Sequence, residues 1–302
     1  MISIEVKLKE LGIKNNFLAI EKEFSNLKES KIVIISAPFE KTVSYGKGTA
    51  KGPKGIISAS HYVEFYDEEL DRELCFEKGI CTLEELDLEN LTPKKALDLI
   101  YKATKDMIAL DKFVVVLGGE HSISYAPIKA HLEFYENVSV LQFDAHSDLR
   151  DSYQGSKYSH ASVMARVAEL TKDITQVGIR AQAIEESKFI KENGIKTFYA
   201  RDLRTGKYLD WQLEVLNSLK ENVYITFDVD GLDPSIIPAT GTPEPGGLMW
   251  DETMNLLHLI GKNRNIIGMD VVELAPSKKD EMSSFNTAKL VYKMLNYAFI
   301  NK

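Results

Sequence analysis

The chain is poor in several features that would assign it to a specialised class. It has only two cysteines, Cys75 and Cys81, six apart in a Glu- and Leu-rich segment. That spacing suits neither a redox CxxC pair nor a zinc knuckle, so structural thiols are expected. No run of apolar residues approaches the 18 or more needed to cross a bilayer, and the N-terminal "MISIEVKLKELGIK" alternates charged with apolar residues instead of forming the apolar core of a signal peptide. A soluble protein of the cytoplasm is expected, with no membrane partner. Dense stripes of lysine and arginine are missing too, and the formal charge is −8, which argues against a nucleic-acid phosphate backbone as partner. There is no Pro/Gly/Ser-rich linker, no internal repeat and no low-complexity tract.

What remains is an ordinary globular composition, 44% hydrophobic and 27% charged over 302 residues, enough for one large domain. Short β-branched runs recur at 31–36, 113–118, 138–143, 174–179, 195–200, 223–228 and 266–274 and read as buried strands. Helical spacing appears at 93–110, 184–194, 210–220 and 287–300. The aromatics of 61–70 and 131–138 also recur at roughly helical spacing, which points to core or subunit packing. Strands that alternate with helices imply parallel pairing. The expected fold is α/β, a single three-layer αβα domain over 1–302 with a mainly parallel sheet of about eight strands.

Three of these strands end in unusual chemistry: "GGEHS" (118–122), "FDAHSDLR" (143–150) and "FDVDGLDPS" (227–235). In open parallel sheets ligands gather at the carboxyl ends of the strands. Taken alone, His121 is more often a capping or core histidine, and an Asp-rich turn before Gly and Pro can be purely conformational. Asp144, His146 and Asp148 occupy alternate positions, which on extended chain point the same way. Together with Asp228 and Asp230 they set four aspartates at the ends of two core strands. Four such charges repel one another and lose hydration unless cations neutralise them. Two divalent ions cancel the four charges, and His121 and His146 complete a donor set without thiolate. Such a set suits Mn2+ better than structural zinc, with Fe2+, Co2+, Ni2+ and Zn2+ left open. Two metals about 3.5–4 Å apart lower the pKa of a water between them, so metal-assisted hydrolysis is the expected chemistry.

These segments, with "FDVDGLDPSIIPATGTPEPGGL", "MDVVEL", "GTAKGPKGIISAS" (48–60) and "NTAKLVYKML" (286–295), resemble the signature blocks of the ureohydrolase family of arginases and agmatinases. The likeness spans most of the chain. It implies a binuclear manganese site that hydrolyses a guanidinium group to urea and an amine. It also implies that His121, Asp144, His146, Asp148, Asp228 and Asp230 ligate the metals, with Asp144 and Asp228 bridging. His160 in "YSHASVMAR" matches the histidine that passes a proton to the departing amine, where a capping role is the plain alternative. Glu273 matches the carboxylate that holds the guanidinium, where the alternative is a structural ion pair. His160, Glu273 and Asp148 are thus the candidate catalytic residues. Glu120 and Asp233 are expected to orient His121 or the loop, and Glu120 stands where the family often has Asp.

The segments 148–160 and 241–248 look most like agmatinases, and "VGIRAQAIEES" (177–187) lacks the aspartate that arginases carry after the equivalent of "GLR". Agmatine is the preferred substrate. An N1-aminopropylagmatine ureohydrolase, a guanidinobutyrase, a formimino-compound hydrolase and an arginase stay as rivals, as does an inactive metal-binding regulatory relative. An amine-terminated substrate needs an acid or a carbonyl at the pocket mouth, and Asp151, Glu244 or backbone groups could serve. The family also implies a homo-oligomer, a trimer or hexamer. His61, His131 and His258 read as core or surface histidines of helices, and Trp211 and Trp250 as packing anchors.

Overall fold

A computed structural model describes residues 8–302, so the first seven residues of the N-terminal stretch considered above lie outside it. Eight parallel strands form one sheet: β1 (Ile32–Ala37), β2 (Ile80–Thr82), β3 (Phe113–Gly118), β4 (Val138–Phe143), β5 (Ile174–Ile179), β6 (Lys196–Tyr199), β7 (Asn222–Asp228) and β8 (Asn265–Val272). Their spatial order is β2-β1-β3-β8-β7-β4-β5-β6. The expected three-layer αβα architecture is present. Seven strands match the apolar runs within a residue or two, and β2 is the eighth. At three residues "ICT" is too short to announce itself by period.

Alternate residues of each strand serve opposite faces, which is why the runs are continuously apolar. Ile32, Ile34, Val115 and Leu117 join one core, while Val33, Ile35, Val114 and Val116 join the other. The first face is covered by α1 (Gly52–Ser60), α8 (Trp211–Ser218), α9 (Trp250–Asn263) and α10 (Met282–Ala298). The second is covered by α3 (Pro93–Ala109), α4 (Tyr125–Phe134), α5 (Val163–Val167) and α6 (Ile184–Asn193). Two short helices, α2 (Leu74–Lys78) and α7 (Ala200–Arg204), complete the set among the described residues. Burying a Leu, Ile or Val in either core contributes about 1.5–3 kcal/mol, so the two-faced strands dominate the stability.

The aromatic segment 61–70 is not a helix. Helix α1 stops at Ser60, and Asp67 instead closes a turn, its Oδ1 accepting from the backbone N–H groups of Glu69 and Leu70, both at 3.1 Å. Val63 and Phe65 still reach the core, so packing survives without the helical period that spacing suggested. The second aromatic segment is helical only to Phe134. The turn is anchored to α10 by Lys293 Nζ, 3.0 Å from Asp67 Oδ2 and 2.7 Å from Glu69 Oε2, and by Tyr297, which donates to Glu69, while His258 Nδ1 of α9 is 2.6 Å from Glu69 Oε1.

The other residues set aside take the plain roles. His61 sits at the end of α1 with Nε2 3.1 Å from the Asn16 carbonyl, and His131 is buried within α4. Trp211 and Trp250 pack half-buried against the first core. Both cysteines are buried free thiols, and burial raises Cys75 to about 11 and Cys81 to about 12.

Candidate metal centre and active site

The register of the central strands brings the acids together. Phe143 of β4 lies opposite Phe227 of β7, so Asp144 and Asp228 emerge side by side at the carboxyl edge. Gly231 lets the β7 turn pass close to β4, since a Cβ there would meet the Asp144 nitrogen at 2.8 Å. Side chains then tie the turns: Ala145 N–H donates to Asp230 Oδ1 at 3.0 Å, Asp230 N–H to Asp228 Oδ1 at 2.9 Å, and His146 N–H to Asp144 Oδ1 at 2.6 Å.

Asp144, His146 and Asp148 converge as expected, but not by strand alternation. Strand β4 ends at Phe143, and the chain coils because Asp148 takes the left-handed conformation, φ 52°. Its carbonyl, turned back, accepts from the first N–H groups of α5, Met164 at 2.9 Å and Ala165 at 3.2 Å. Glu273, just past β8, has φ 66°. A non-glycine residue in this region is strained, and strain of this kind gathers at functional sites.

Two donor sets share one aspartate. Around His121 Nδ1 lie Asp144 Oδ2 at 3.0 Å, Asp148 Oδ2 at 3.1 Å and Asp228 Oδ2 at 3.4 Å. Around His146 Nδ1 lie Asp230 Oδ2 at 3.0 Å and Asp144 Oδ1 at 3.6 Å. Sets of His121, Asp144 and Asp148 and of Asp144, His146 and Asp230 each gather one donor atom per residue within 4.8 Å. Asp144 therefore spans both sets, while Asp228 approaches only the first.

His121 supplies a direct test of whether these residues fit a cation. Its Nε2 is 2.9 Å from Thr226 Oγ1, and that hydroxyl donates its single proton to Asp270 Oδ1 at 2.7 Å. Thr226 can then only accept, so Nε2 carries hydrogen. The other nitrogen, Nδ1, is buried beside three carboxylate oxygens yet is aligned for a hydrogen bond with none of them. Lone pairs that converge in this way repel one another unless a positive charge sits among them, so the donors fit a metal.

The titration behaviour of the cluster has the same cause. Burial opposes the charging of His121 and His146, but the surrounding aspartates win. They raise His121 well above its ordinary value, and Asp230 and Asp144 push His146 up to about 12. Burial and the Asp144 charge lift Asp148 to about 7, and burial with Asp230 and Asp144 raises Asp228 well above the carboxylate range. Asp144, despite burial, is held low by His121 and His146.

The remaining candidates border the same cavity, which His146, Asp148, Asp228, Asp230, His160 and Glu273 all line. Glu273 Oε1 accepts from the backbone N–H of His121 at 2.7 Å, and burial, with the charges of Glu120 and Asp230, raises its pKa well above normal. His160 Nδ1 is 3.3 Å from Thr42 Oγ1, and burial, then the charges of His121 and His146, lower it to about 4.

Glu120 and Asp233 act on backbone rather than on His121. Asp233 accepts from the N–H groups of Gly246 and Gly247 and from Ser235. Glu120 accepts from the N–H groups of Lys41 and Thr42 and from the hydroxyls of Thr42 and Ser122. Gly119 permits that contact, since a Cβ would lie 2.1 Å from the Phe39 carbonyl oxygen. Asp151 is exposed and paired with Arg166 at 2.8 Å, outside the cavity lining, whereas Glu244 lines it.

Sequence reasoning did not pick out Thr226, Asp270, Gln142, which donates to Asp144 Oδ2 at 2.7 Å, or the cavity residues Tyr153, Gln182 and Glu186. The usable signal was a polar residue interrupting an apolar strand: Gln142 in β4, Thr226 in β7 and Asp270 in β8.

The arginase family model matches residues 30–296. The N(1)-aminopropylagmatine ureohydrolase of Synechocystis sp. is 38% identical, covering 94% of this chain and 96% of its own length. The agmatinase of Pyrococcus horikoshii is 33% identical over 88% of this chain and 92% of the relative. In structure, the agmatine ureohydrolase of Thermoplasma volcanium superposes with a TM-score of 0.82 at 28% identity, covering 95% of this chain and 94% of that one. With the fold, the paired donor sets and these likenesses in agreement, the chain belongs to the arginase family.

Proposed function

We propose that this hydrolase of amidino C–N bonds cleaves agmatine to urea and putrescine, with two Mn2+ ions held by His121, Asp144, His146, Asp148, Asp228 and Asp230. The observation that carries the reading is Glu273: a buried carboxylate that pairs with no lysine or arginine among the described residues and faces the same cavity as both donor sets. A planar guanidinium would supply the missing charge and accept bidentate binding.

The cations would supply a hydroxide nucleophile at neutral pH. Glu273 holds the guanidinium carbon in line for attack, so binding and orientation are set by one side chain. As the tetrahedral centre collapses, the C–N bond to the alkyl amine breaks and the amine nitrogen takes a proton from His160. With its pKa lowered to about 4, His160 holds no standing proton near neutrality, so it relays to the amine the proton that the attacking oxygen loses as it becomes the urea carbonyl. Asp148, strained and bordering the cavity, shapes the floor on which the guanidinium rests.

N1-aminopropylagmatine is the second reading, favoured by the name of the 38%-identical relative. Both substrates end in amines, and Glu244 and Glu186 are acids of the cavity wall besides those of the donor sets and Glu273. The reading extends to a cytoplasmic homo-oligomer, a trimer or hexamer, on the likeness of the whole chain to the family. No described helix is long and apolar enough to cross a membrane. A urea-release assay on the manganese-loaded protein across agmatine, aminopropylagmatine, guanidinobutyrate and arginine tests the proposal. Agmatine or its aminopropyl derivative should lead, and a preference for arginine would overturn it.

A further inference from the structure

Thr42 lies between β1 and α1 and presses on His160 from outside the cavity. Its Oγ1 has three neighbours: Glu120 Oε1 at 2.7 Å, the backbone nitrogen of His160 at 3.0 Å and His160 Nδ1 at 3.3 Å. A hydroxyl has one proton and two lone pairs. Glu120 is surrounded by donors. Its Oε2 takes the N–H groups of Lys41 and Thr42, both at 2.6 Å, and its Oε1 takes the hydroxyls of Thr42 and Ser122, the latter at 2.6 Å. The two backbone N–H groups fix Oε2 as an acceptor, and Oε1 accepts from Ser122, so the Thr42 hydroxyl directs its proton to Oε1. One lone pair of Thr42 receives the His160 N–H. The other faces Nδ1 and can only accept.

We infer that Thr42 is a positioning residue: its hydroxyl, committed as donor to Glu120, holds His160 as the Nδ1–H tautomer and leaves Nε2 free to take and give the proton. The inference rests on the relay role proposed for His160. In the other tautomer the Nδ1 lone pair would oppose the lone pair of Thr42, and Nε2 would already carry hydrogen and could not accept a proton. Thr226 and Asp270 use the same hydroxyl–carboxylate pair on His121, but there the hydroxyl meets Nε2 and frees Nδ1 towards the aspartates. Each histidine is thus aimed by which nitrogen meets the hydroxyl.

Glu120 adds a sharper consequence. In Glu120→Gln the side-chain oxygen must stay where Oε2 is, to accept two backbone N–H groups, so the amide nitrogen takes the place of Oε1. It then donates to Thr42, whose own proton turns to Nδ1 and reverses the tautomer.

The test combines nitrogen-15 NMR of labelled histidine, on enzyme loaded with diamagnetic Zn2+, with kcat and KM on the manganese enzyme. The parent should show His160 as Nδ1–H, and Thr42→Ser should keep that signature and stay within about threefold of the parental kcat. Thr42→Val should lose the tautomer preference and lower kcat by ~10–100-fold with KM within about twofold, and Glu120→Gln should show Nε2–H. A parent with Nε2–H, or a Thr42→Val enzyme with the parental tautomer and kcat, overturns the inference. His160→Ala at full turnover would remove the relay reading instead, and the parental spectrum would still decide the tautomer on its own.

Discussion

Two clusters in this molecule gather acids around buried aspartates, and they resolve the charge in opposite ways. Between the 61–72 turn and α10, Asp67 and Glu69 are met by Lys293, with His258 and Tyr297 completing the shell. At the carboxyl edge of the sheet, Asp144, Asp148, Asp228 and Asp230 have only His121 and His146 beside them. Among the described residues no lysine or arginine pairs with any of these four. Arg180 spends its guanidinium on the backbone carbonyls of Gly178, Asp230, Gly231, Leu232 and Glu244. A resident ammonium makes the first cluster a structural clamp. Its absence makes the second a place for cations from solution, because buried carboxylates have lost their hydration and repel one another without them.

The largest way to break the contrast is to remove the aspartate common to both donor sets. Asp144→Ala should lose metal occupancy by elemental analysis and all measurable urea release. The same variant separates the clusters thermodynamically. Chelating the parent should cost about 2.7 kcal/mol of unfolding free energy for each of the two sites relative to metal at a hundredfold excess over Kd, whereas Asp144→Ala should show no chelator effect. Equal chelator sensitivity in both would mean that the acids are balanced by something other than metal.

Next in size is His160→Ala. It touches neither donor set, so both metals should remain while kcat falls by about 10²–10⁴. Loss of metal together with turnover would show that His160 supports the donor sets rather than the proton transfer.

The donor residues were legible because each sits in a short motif directly after a recognisable strand, and parallel pairing alone brings strand ends to one edge. What aims them was not legible. Thr226 and Asp270 stand 44 positions apart, and Thr42 and Glu120 stand 78 apart. Such hydroxyl–carboxylate pairs exist only once β1, β3, β7 and β8 lie side by side. The misread of 61–70 has the converse cause. Apolar spacing reported burial correctly, but the Asp67 turn supplied the backbone partners that a helix would otherwise have supplied, and Lys293, far along the chain, fixed it in place. Asp148 shows the limit of strand logic: three donors at alternate positions converge through one left-handed residue, which no periodicity reports.

The clamp provides the third test. Lys293→Met removes its only ammonium and leaves Asp67, 1% exposed, without compensation. Breaking a buried pair in this way should cost about 3–5 kcal/mol in urea unfolding, with turnover per folded molecule and chelator response as in the parent. Adding Asp67→Asn should recover much of the loss, because an amide keeps the turn's hydrogen bonds without the charge. If the single variant unfolded no more easily than the parent, the clamp would be incidental and the distinction drawn from it would fall.

The smallest expected effect concerns a histidine that belongs to neither cluster. His131 is buried in α4, with Nδ1 2.8 Å from the Pro127 carbonyl, its ring 4.7 Å from that of Tyr224, and Gly268 leaving the space its Nε2 occupies. Among the described residues no carboxylate pairs with it, and burial lowers its pKa from 6.5 to about 4. Between those values the unfolded chain binds a proton that the native protein refuses, so stability rises with pH across the window and is lost as pH falls through it. The loss at pH 4 should be on the order of 3 kcal/mol, and it should be missing from His131→Asn, which will be less stable at pH 7 but flatter towards acid. Metal-free protein must be used for both curves, so that ligand protonation cancels between them. Parallel curves would mean that His131 finds a counter-charge on folding. A flatter variant would show that a buried imidazole faced by no acid is driven to neutrality by burial alone.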